Sequence, residues 1–410
     1  NSVEMRADDG SEAFGNITFV DSAAVDLDSS ASANGDLYIN AATDGSVGGN
    51  LSVTATTENI TQNTALAITG TTTLVTSAND ATITLNNTGN AFTGAITITT
   101  NDASGTDADV VIDGGTTALQ IAASTIDGDL TLTSGNASGI TDTGTVTVGG
   151  NLIATTDANN GVIDLGQLAV TGTMDLTTHG SGNATIDNGT LDIVLIASGV
   201  GGNLTLTTGN ASGITDTGTV TVGGNLVATT DANNGVINLD QTAVTGTVAL
   251  TTNGSGNATF DNGTLNLDLA ASNVGGSLTV TSGNASGITD SGTVTVGGNL
   301  VATTDANNGV IDLGQLAVDG TVALTTNGNG AATAVNDAGL NFAASTVGGA
   351  LSATATTGDI TDSGNLAITG AATFITGATG SNIVLDSSGN AFSNSVEMRA
   401  DDGSEAFGNI

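Results

Sequence analysis

The stretch ASGITDTGTVTVGGNL begins at Ala137 and again, unchanged, at Ala211, and a copy with one substitution, ASGITDSGTVTVGGNL, begins at Ala285, so the two spacings are equal. A segment that returns at a fixed short period cannot bury its apolar face alone but can bury it against the next copy of itself, which points to a solenoid. A shorter beat runs inside the block. The strand openers Gly202-Asn203-Leu204, Gly224-Asn225-Leu226 and Gly246-Thr247-Val248 follow at even steps, and the next opener, Gly276, stands further on than either step. The block therefore reads as two coils of about 22 residues and one of about 30 residues, the range of solenoid repeats.

Each coil offers three strand-like pieces, for example Leu204 to Thr208, Gly213 to Asp216 and Thr219 to Val222. Apolar and β-branched polar residues alternate in them at period two, the pattern of strands with one buried face. Gly and Asn separate the pieces, as suits corners that need positive φ. Proline is absent from the chain, as expected where nearly every strand N–H is donated to a neighbouring coil. The expected fold is all-β: a parallel β-helix (β-solenoid) with three short strands per coil of about 22 residues, right-handed because parallel crossovers overwhelmingly are. Stacking at about 4.8 Å gives a rod on the order of 80 Å long. Leu204, Leu206, Val220, Val222, Leu226, Ala228, Val248 and Leu250 are expected inside, with Phe19, Phe92, Phe260, Phe342, Phe374 and Phe392 filling wider coils. Outward Thr and Asn would form ladders along the axis.

Openers at Gly49, Gly128, Gly202, Gly276 and Gly349 divide one continuous solenoid, 1–410, into blocks 49–127, 128–201, 202–275, 276–348 and 349–410. The last block continues as 1–48, because NSVEMRADDGSEAFGNI, read from Asn1, returns in full from Asn394. That copy reads as one period of a longer tandem polypeptide.

Composition limits the chemistry. Forty acidic and two basic residues give a formal net charge of -38, a surface that repels nucleic acid and anionic lipid. The 38% hydrophobic content supplies a core and argues against disorder. No run of about 18 apolar residues is present, so membrane insertion is not expected. The lack of cysteine fits an extracellular chain without disulfides and fits a cytosolic one as well.

Two stretches, GGNLTLTTGNASGITDTGTVTVGGNLVATT from Gly201 and GDITDSGNLAITGAATF from Gly358, resemble the β-helical shafts of filamentous-haemagglutinin-like proteins, the large exoproteins of two-partner secretion, and related bacterial surface proteins. The resemblance is one of texture and covers essentially the whole chain. It implies a right-handed β-helix, export from a Gram-negative cell, and adhesive or fibrous use at the surface. The family's secretion domain carries Asn-Pro-Asn motifs, which this proline-free sequence lacks, so the resemblance is to the shaft alone.

Catalysis needs groups that hold or move charge at fixed positions. The single histidine, His179, is replaced by Asn253 and Asn327 in the following blocks, as a surface position would be. Pectin-degrading β-helices use paired acids, or calcium with a basic residue. Here Asp142, Asp216, Asp290 and Asp362 recur in ITD, and Asp157, Asp231 and Asp305 in TTDANNG, following the scaffold symmetry that an active site would break. Calcium is the remaining inorganic candidate. One coil length leads from Asp142 to Asp164 and from Asp290 to Asp312, and a slightly longer coil leads from Asp362 to Asp386. Carboxylates are thereby expected one rung apart, while Asn238 stands opposite Asp216. The competing reading is that these aspartates cap corner N–H groups. The sequons at Asn136, Asn210 and Asn284 are glycan acceptors only in a eukaryotic secretory pathway. Thr-x-Thr pieces resemble ice-binding arrays but are interrupted by Val227-Ala228-Thr229 and Ala249-Leu250-Thr251.

The expected function is that of a non-catalytic structural shaft in a bacterial extracellular filament or cell-surface fibre. Its partner would be itself, end to end or through further tandem repeats. The alternative is an adhesin that grips cell-surface glycans through the irregular stretches 21–44 or 101–114. An enzyme acting on polysaccharide ranks below both.

Overall fold

A computed structural model describes residues 3–5, 15–22, 24–28, 36–39, 46–101 and 107–400. Every regular element among the described residues is a β-strand, and the strands pair in parallel. Two compact units divide the chain, Asn1–Leu206 and Thr207–Ile410. Each is a β-solenoid whose coils contribute alternately to two walls.

In the first unit one wall stacks Leu51–Ala55, Thr72–Thr76 and Ile96–Thr99 as single straight strands. The same wall then continues as bent rungs, each made of two short strands, such as Ile140–Asp142 with Val146–Val148. The opposite wall places Leu130–Ser134, Leu152–Thr156 and Met174–Thr178 straight, facing those bent rungs. A short third sheet joins Ser46–Val47, Ala67–Ile68 and Ala91–Phe92. One straight strand and two short ones make up a coil, the three pieces per coil anticipated from the sequence.

The second unit follows the same plan and corrects the reading of the long period. From Ile214 one wall climbs three rungs, through Ile237 and Ala258 to Leu278. The chain then crosses to the other wall before reaching Ile288, the residue equivalent to Ile214 in the next block. A block is thus three and a half coils, and the apparent long coil before Gly276 is one and a half coils of ordinary size. Rung steps differ in length: Ala332 pairs with Leu351 at a short step, whereas Ala372 pairs with Val396 at a longer one. Variation is tolerated because it is absorbed at corners while the ladder of inter-coil hydrogen bonds is kept.

Burial alternates along the strands, so every second side chain points inward. Leu204, Leu206, Val220, Val222, Leu226, Ala228, Val248 and Leu250 are at most 1% exposed. Each fully buried aliphatic side chain of Val or Leu size contributes about 1.5–3 kcal/mol. Phe92, Phe260, Phe342 and Phe374 are buried, and Phe374 packs edge-to-face between Phe342 and Phe392 at centroid distances of 6.3 and 6.1 Å. Phe19 and Phe392, expected inside, are only partly covered.

Corners are built from hydrogen-bonding side chains and left-handed backbone. In TTDANNG the buried Thr156 hydroxyl donates to the Gly161 carbonyl at 2.8 Å, and Thr230 and Thr304 repeat the bond to Gly235 and Gly309. Between them Asn159 and Asn160 both take φ of 54°, a region that Asn tolerates better than most residues. Gly213 combines φ of 72° with a close approach: a Cβ there would lie 1.8 Å from the Val236 carbonyl oxygen. Gly199 has open space around its missing Cβ and no positive φ. Gly213→Ala should therefore destabilise the fold by more than about 2 kcal/mol, while Gly199→Ala stays within about 0.5 kcal/mol of wild type. Thermal or denaturant unfolding followed by circular dichroism separates the two outcomes.

Candidate functional site

The half-integral coil count means that each wall must change repeatedly from straight to bent and back. A change leaves strand N–H and C=O groups facing no strand in the next coil, and a buried unpaired group costs about 1–3 kcal/mol. Where straight becomes bent, a serine takes over. Ser272 Oγ accepts the Leu250 N–H at 3.1 Å and donates to the Ala270 carbonyl at 2.9 Å. Ser345 does the same for Leu324 and Ala343, and in the first unit Ser124 and Ser198 serve Ile98 and Leu176. Where bent becomes straight, an asparagine does so. Asn262 Oδ1 accepts the Val244 N–H at 2.7 Å, and its Nδ2 donates to the Val244 carbonyl at 2.9 Å and the Asn266 carbonyl at 2.6 Å. Asn188 and Asn336 make the same clamp on Val170 and Val318. All three side chains are fully buried. The amide acts as a one-residue substitute for the missing strand.

The ITD aspartates hold the bent rungs from outside. Asp290 accepts the Gly314 N–H at 3.0 Å and the Gln315 N–H at 2.8 Å, Asp216 accepts those of Asp240 and Gln241, and Asp142 that of Gln167. Asp362 accepts the Asp386 N–H at 2.9 Å and the Asn390 amide at 2.6 Å. The expected carboxylate pairing is one residue out of register. Asp164 aligns with Thr141 and Asp312 with Thr289, while Val384, not Asp386, is the ladder partner of Thr361. The corner 157–162 is one residue longer than the corner 135–139 that it stacks on, so the step from Ile140 to Ile163 exceeds the regular coil by that residue. The acid near Asp216 is Asp240 rather than the position of Asn238, which aligns with Thr215.

No group of three or more His, Cys, Asp or Glu side chains close enough to hold a metal ion occurs among the described residues. His179 is exposed in a corner, its carbonyl accepting the Gly182 N–H. At the sequons, Asn136 and Asn284 donate their Nδ2 groups to the carbonyls of Thr116 and Thr264, which engages the atom a glycan would need. Two recesses of about 300 and 370 Å³ lie beside bent rungs, one lined by Asp319, Asn341, Asp359 and Thr361 and the other by Thr145, Gln167, Asp187 and Thr190. Their polar groups are hydroxyls, amides and carboxylates, a set that binds water and corner N–H groups.

A family model described as Repeats of unknown function (DUF5649) matches residues 14–99, 107–165, 181–251, 255–313 and 329–399. The chain belongs to the DUF5649 repeat family. No curated protein and no solved structure matches it. In this DUF5649 chain the buried serines and asparagines are the residues that sequence reasoning missed. Their signal is present: Ser124, Ser198, Ser272 and Ser345 each follow an alanine and return once per block, and Asp-Asn-Gly recurs at 187–189 and 261–263.

Two measurements test these roles. Asn262→Asp replaces two buried N–H donors with an acceptor facing carbonyls and should cost about 2–4 kcal/mol, whereas Asn253→Asp at an exposed corner should change stability by less than about 0.5 kcal/mol. The second concerns pH. Burial pushes the carboxyls of Asp142, Asp216 and Asp290 above the usual aspartate value, corner N–H bonds partly oppose this, and the neighbouring Asp164, Asp240 and Asp312 push them up further. A raised folded-state value means that the folded chain binds the proton more tightly, so these groups stabilise below the unfolded value of about 4 and lose that contribution as pH rises through the folded value. Melting temperature should therefore rise as pH is lowered from 7 toward about 4.5, and Asp216→Asn with Asp290→Asn should flatten that rise.

Proposed function

We propose that this DUF5649 chain is a non-catalytic structural shaft segment of a bacterial extracellular filament or cell-surface fibre, working without a cofactor. The observation that carries the reading is the use made of its polar side chains. The buried serines and asparagines and the ITD aspartates are all engaged in holding one coil to the next. Such a ladder has no intrinsic length limit, since each coil presents to the next the same parallel edge that it received. The filamentous-haemagglutinin-like texture of the sequence supports the surface location, and further tandem repeats of the same kind would lengthen the shaft.

The adhesin reading rests on residues 21–44 and 101–114. Residues 23, 29–35, 40–44 and 102–106 lie outside the described residues, and in the rest Val25–Asp28, Asp36–Ile39 and Val110–Asp113 are regular rungs rather than protruding loops. The shaft reading is favoured for that reason. Electron microscopy of the purified chain at raised concentration should show threads that grow in length. Dispersed single particles, or cleavage of an acidic polysaccharide by the chain, would overturn it. Because the ITD carboxylates already accept N–H donors, chelation with EDTA should leave the melting temperature unchanged, and millimolar calcium should raise it by less than about 2 °C.

A further inference from the structure

A block of three and a half coils places the same surface on opposite walls. In the second unit Leu226–Thr230 and Leu300–Thr304 share the sequence LVATT and stand in different walls. On the first wall Val227 aligns with Ala249, and Thr229 aligns with Thr251 and then Asn273. On the opposite wall Thr279, Val301 and Ala323 form one outward column, and Thr281, Thr303, Thr325 and Thr346 the next. Val227 and Val301 are 38% and 36% exposed, large aliphatic groups on the outside of a chain with 40 acidic residues. No residue of either face is charged. The acids stand at the margins, Asp268 next to Thr247 on the first wall and Asp261 next to Thr281 on the second.

We propose that these two faces are lateral contact surfaces and that the partner is a second copy of the chain. Two strongly acidic solenoids repel wherever their carboxylates approach. The Val/Thr/Ala faces are where they can meet with acids kept to the rim, and contact there removes the exposed valines from water. The arrangement also sets the form of the assembly. One such face would close into a pair, whereas equivalent faces on opposite walls let each copy take a neighbour on either side, so the contact propagates into a sheet. Three or four rungs at about 4.8 Å give a face of roughly 250 Å², far below the ~800 Å² per partner of a stable interface. A single contact is therefore weak, and lateral order needs many faces acting together along a shaft. This adds a sideways order to the lengthwise one proposed above and rests on the shaft reading only for that multiplicity.

The test is negative-stain electron microscopy and sedimentation of the full chain at about 10 mM and about 150 mM salt, where the screening length falls from about 30 to 8 Å. Wild type should form side-by-side arrays several solenoids wide at the higher salt and disperse sideways at the lower. The double variant Val227→Glu, Val301→Glu should stay one solenoid wide at both salts with an unchanged melting temperature, since both positions point outward. Val301→Glu alone should give pairs. Wild-type threads one solenoid wide at both salts, or a double variant as wide as wild type, would overturn the proposal. Wide but short arrays would uphold the lateral contact and count against the shaft, and long threads of single width would do the reverse.

Discussion

Each coil is held to the next by a parallel ladder of backbone hydrogen bonds, and the other features follow from keeping that ladder complete. A solenoid coil has no hairpin partner of its own. Its N–H and C=O groups are satisfied only by the coils on either side, and an interior this slim leaves little apolar surface to offset a gap. Proline, which would remove a ladder donor, is accordingly absent. Aliphatic residues with a few phenylalanines fill the inside, and corners carry the variation in length, because a corner can gain a residue while the rung above it stays in register.

The demand is hardest to meet where a wall changes between straight and bent. There the ladder loses a strand partner, and a side chain is inserted in its place. Ser272 and Ser345 supply an oxygen and a hydroxyl proton, and Asn262 and Asn336 supply a carbonyl and an amide, so that a single side chain reproduces both halves of a peptide group. The ITD aspartates extend the logic to the outer side of the bent rungs, where half-buried or buried carboxylates accept corner N–H groups. The acidity of the chain is therefore partly structural. In the second unit the strand faces around Val227 and Val301 carry threonine, valine and alanine, with acids at their margins.

Much of this is readable from the residues because the governing signals are local. Period-two alternation marks the strands, the recurrence of Gly and Asn marks the corners, and the aliphatic positions from Leu204 to Leu250 form the core that the alternation predicts. Dividing the long period into whole coils, and pairing the acids at coil lengths read from the string, fail for one shared reason. A linear string records how far apart two aspartates lie but not how many of the intervening residues a corner absorbs, and the extra residue in 157–162 is enough to shift Asp164 from Asp142 to Thr141. The buried Ser and Asn positions escape for a related reason. In a chain rich in both residues, a hydroxyl inside a strand junction and one on a surface look alike until the neighbouring coil is in place.

The sequence by itself determined that the chain is an all-β solenoid with an aliphatic interior and polar corners, since these depend on residue type and short-range order. The tertiary structure decided the phase of the repeat against the coil, and with it which wall each block faces, which polar side chains replace missing strands, and where the uncharged faces lie. Phase is the sum of many corner lengths. It is fixed only when each backbone N–H has found its acceptor in the coil beside it.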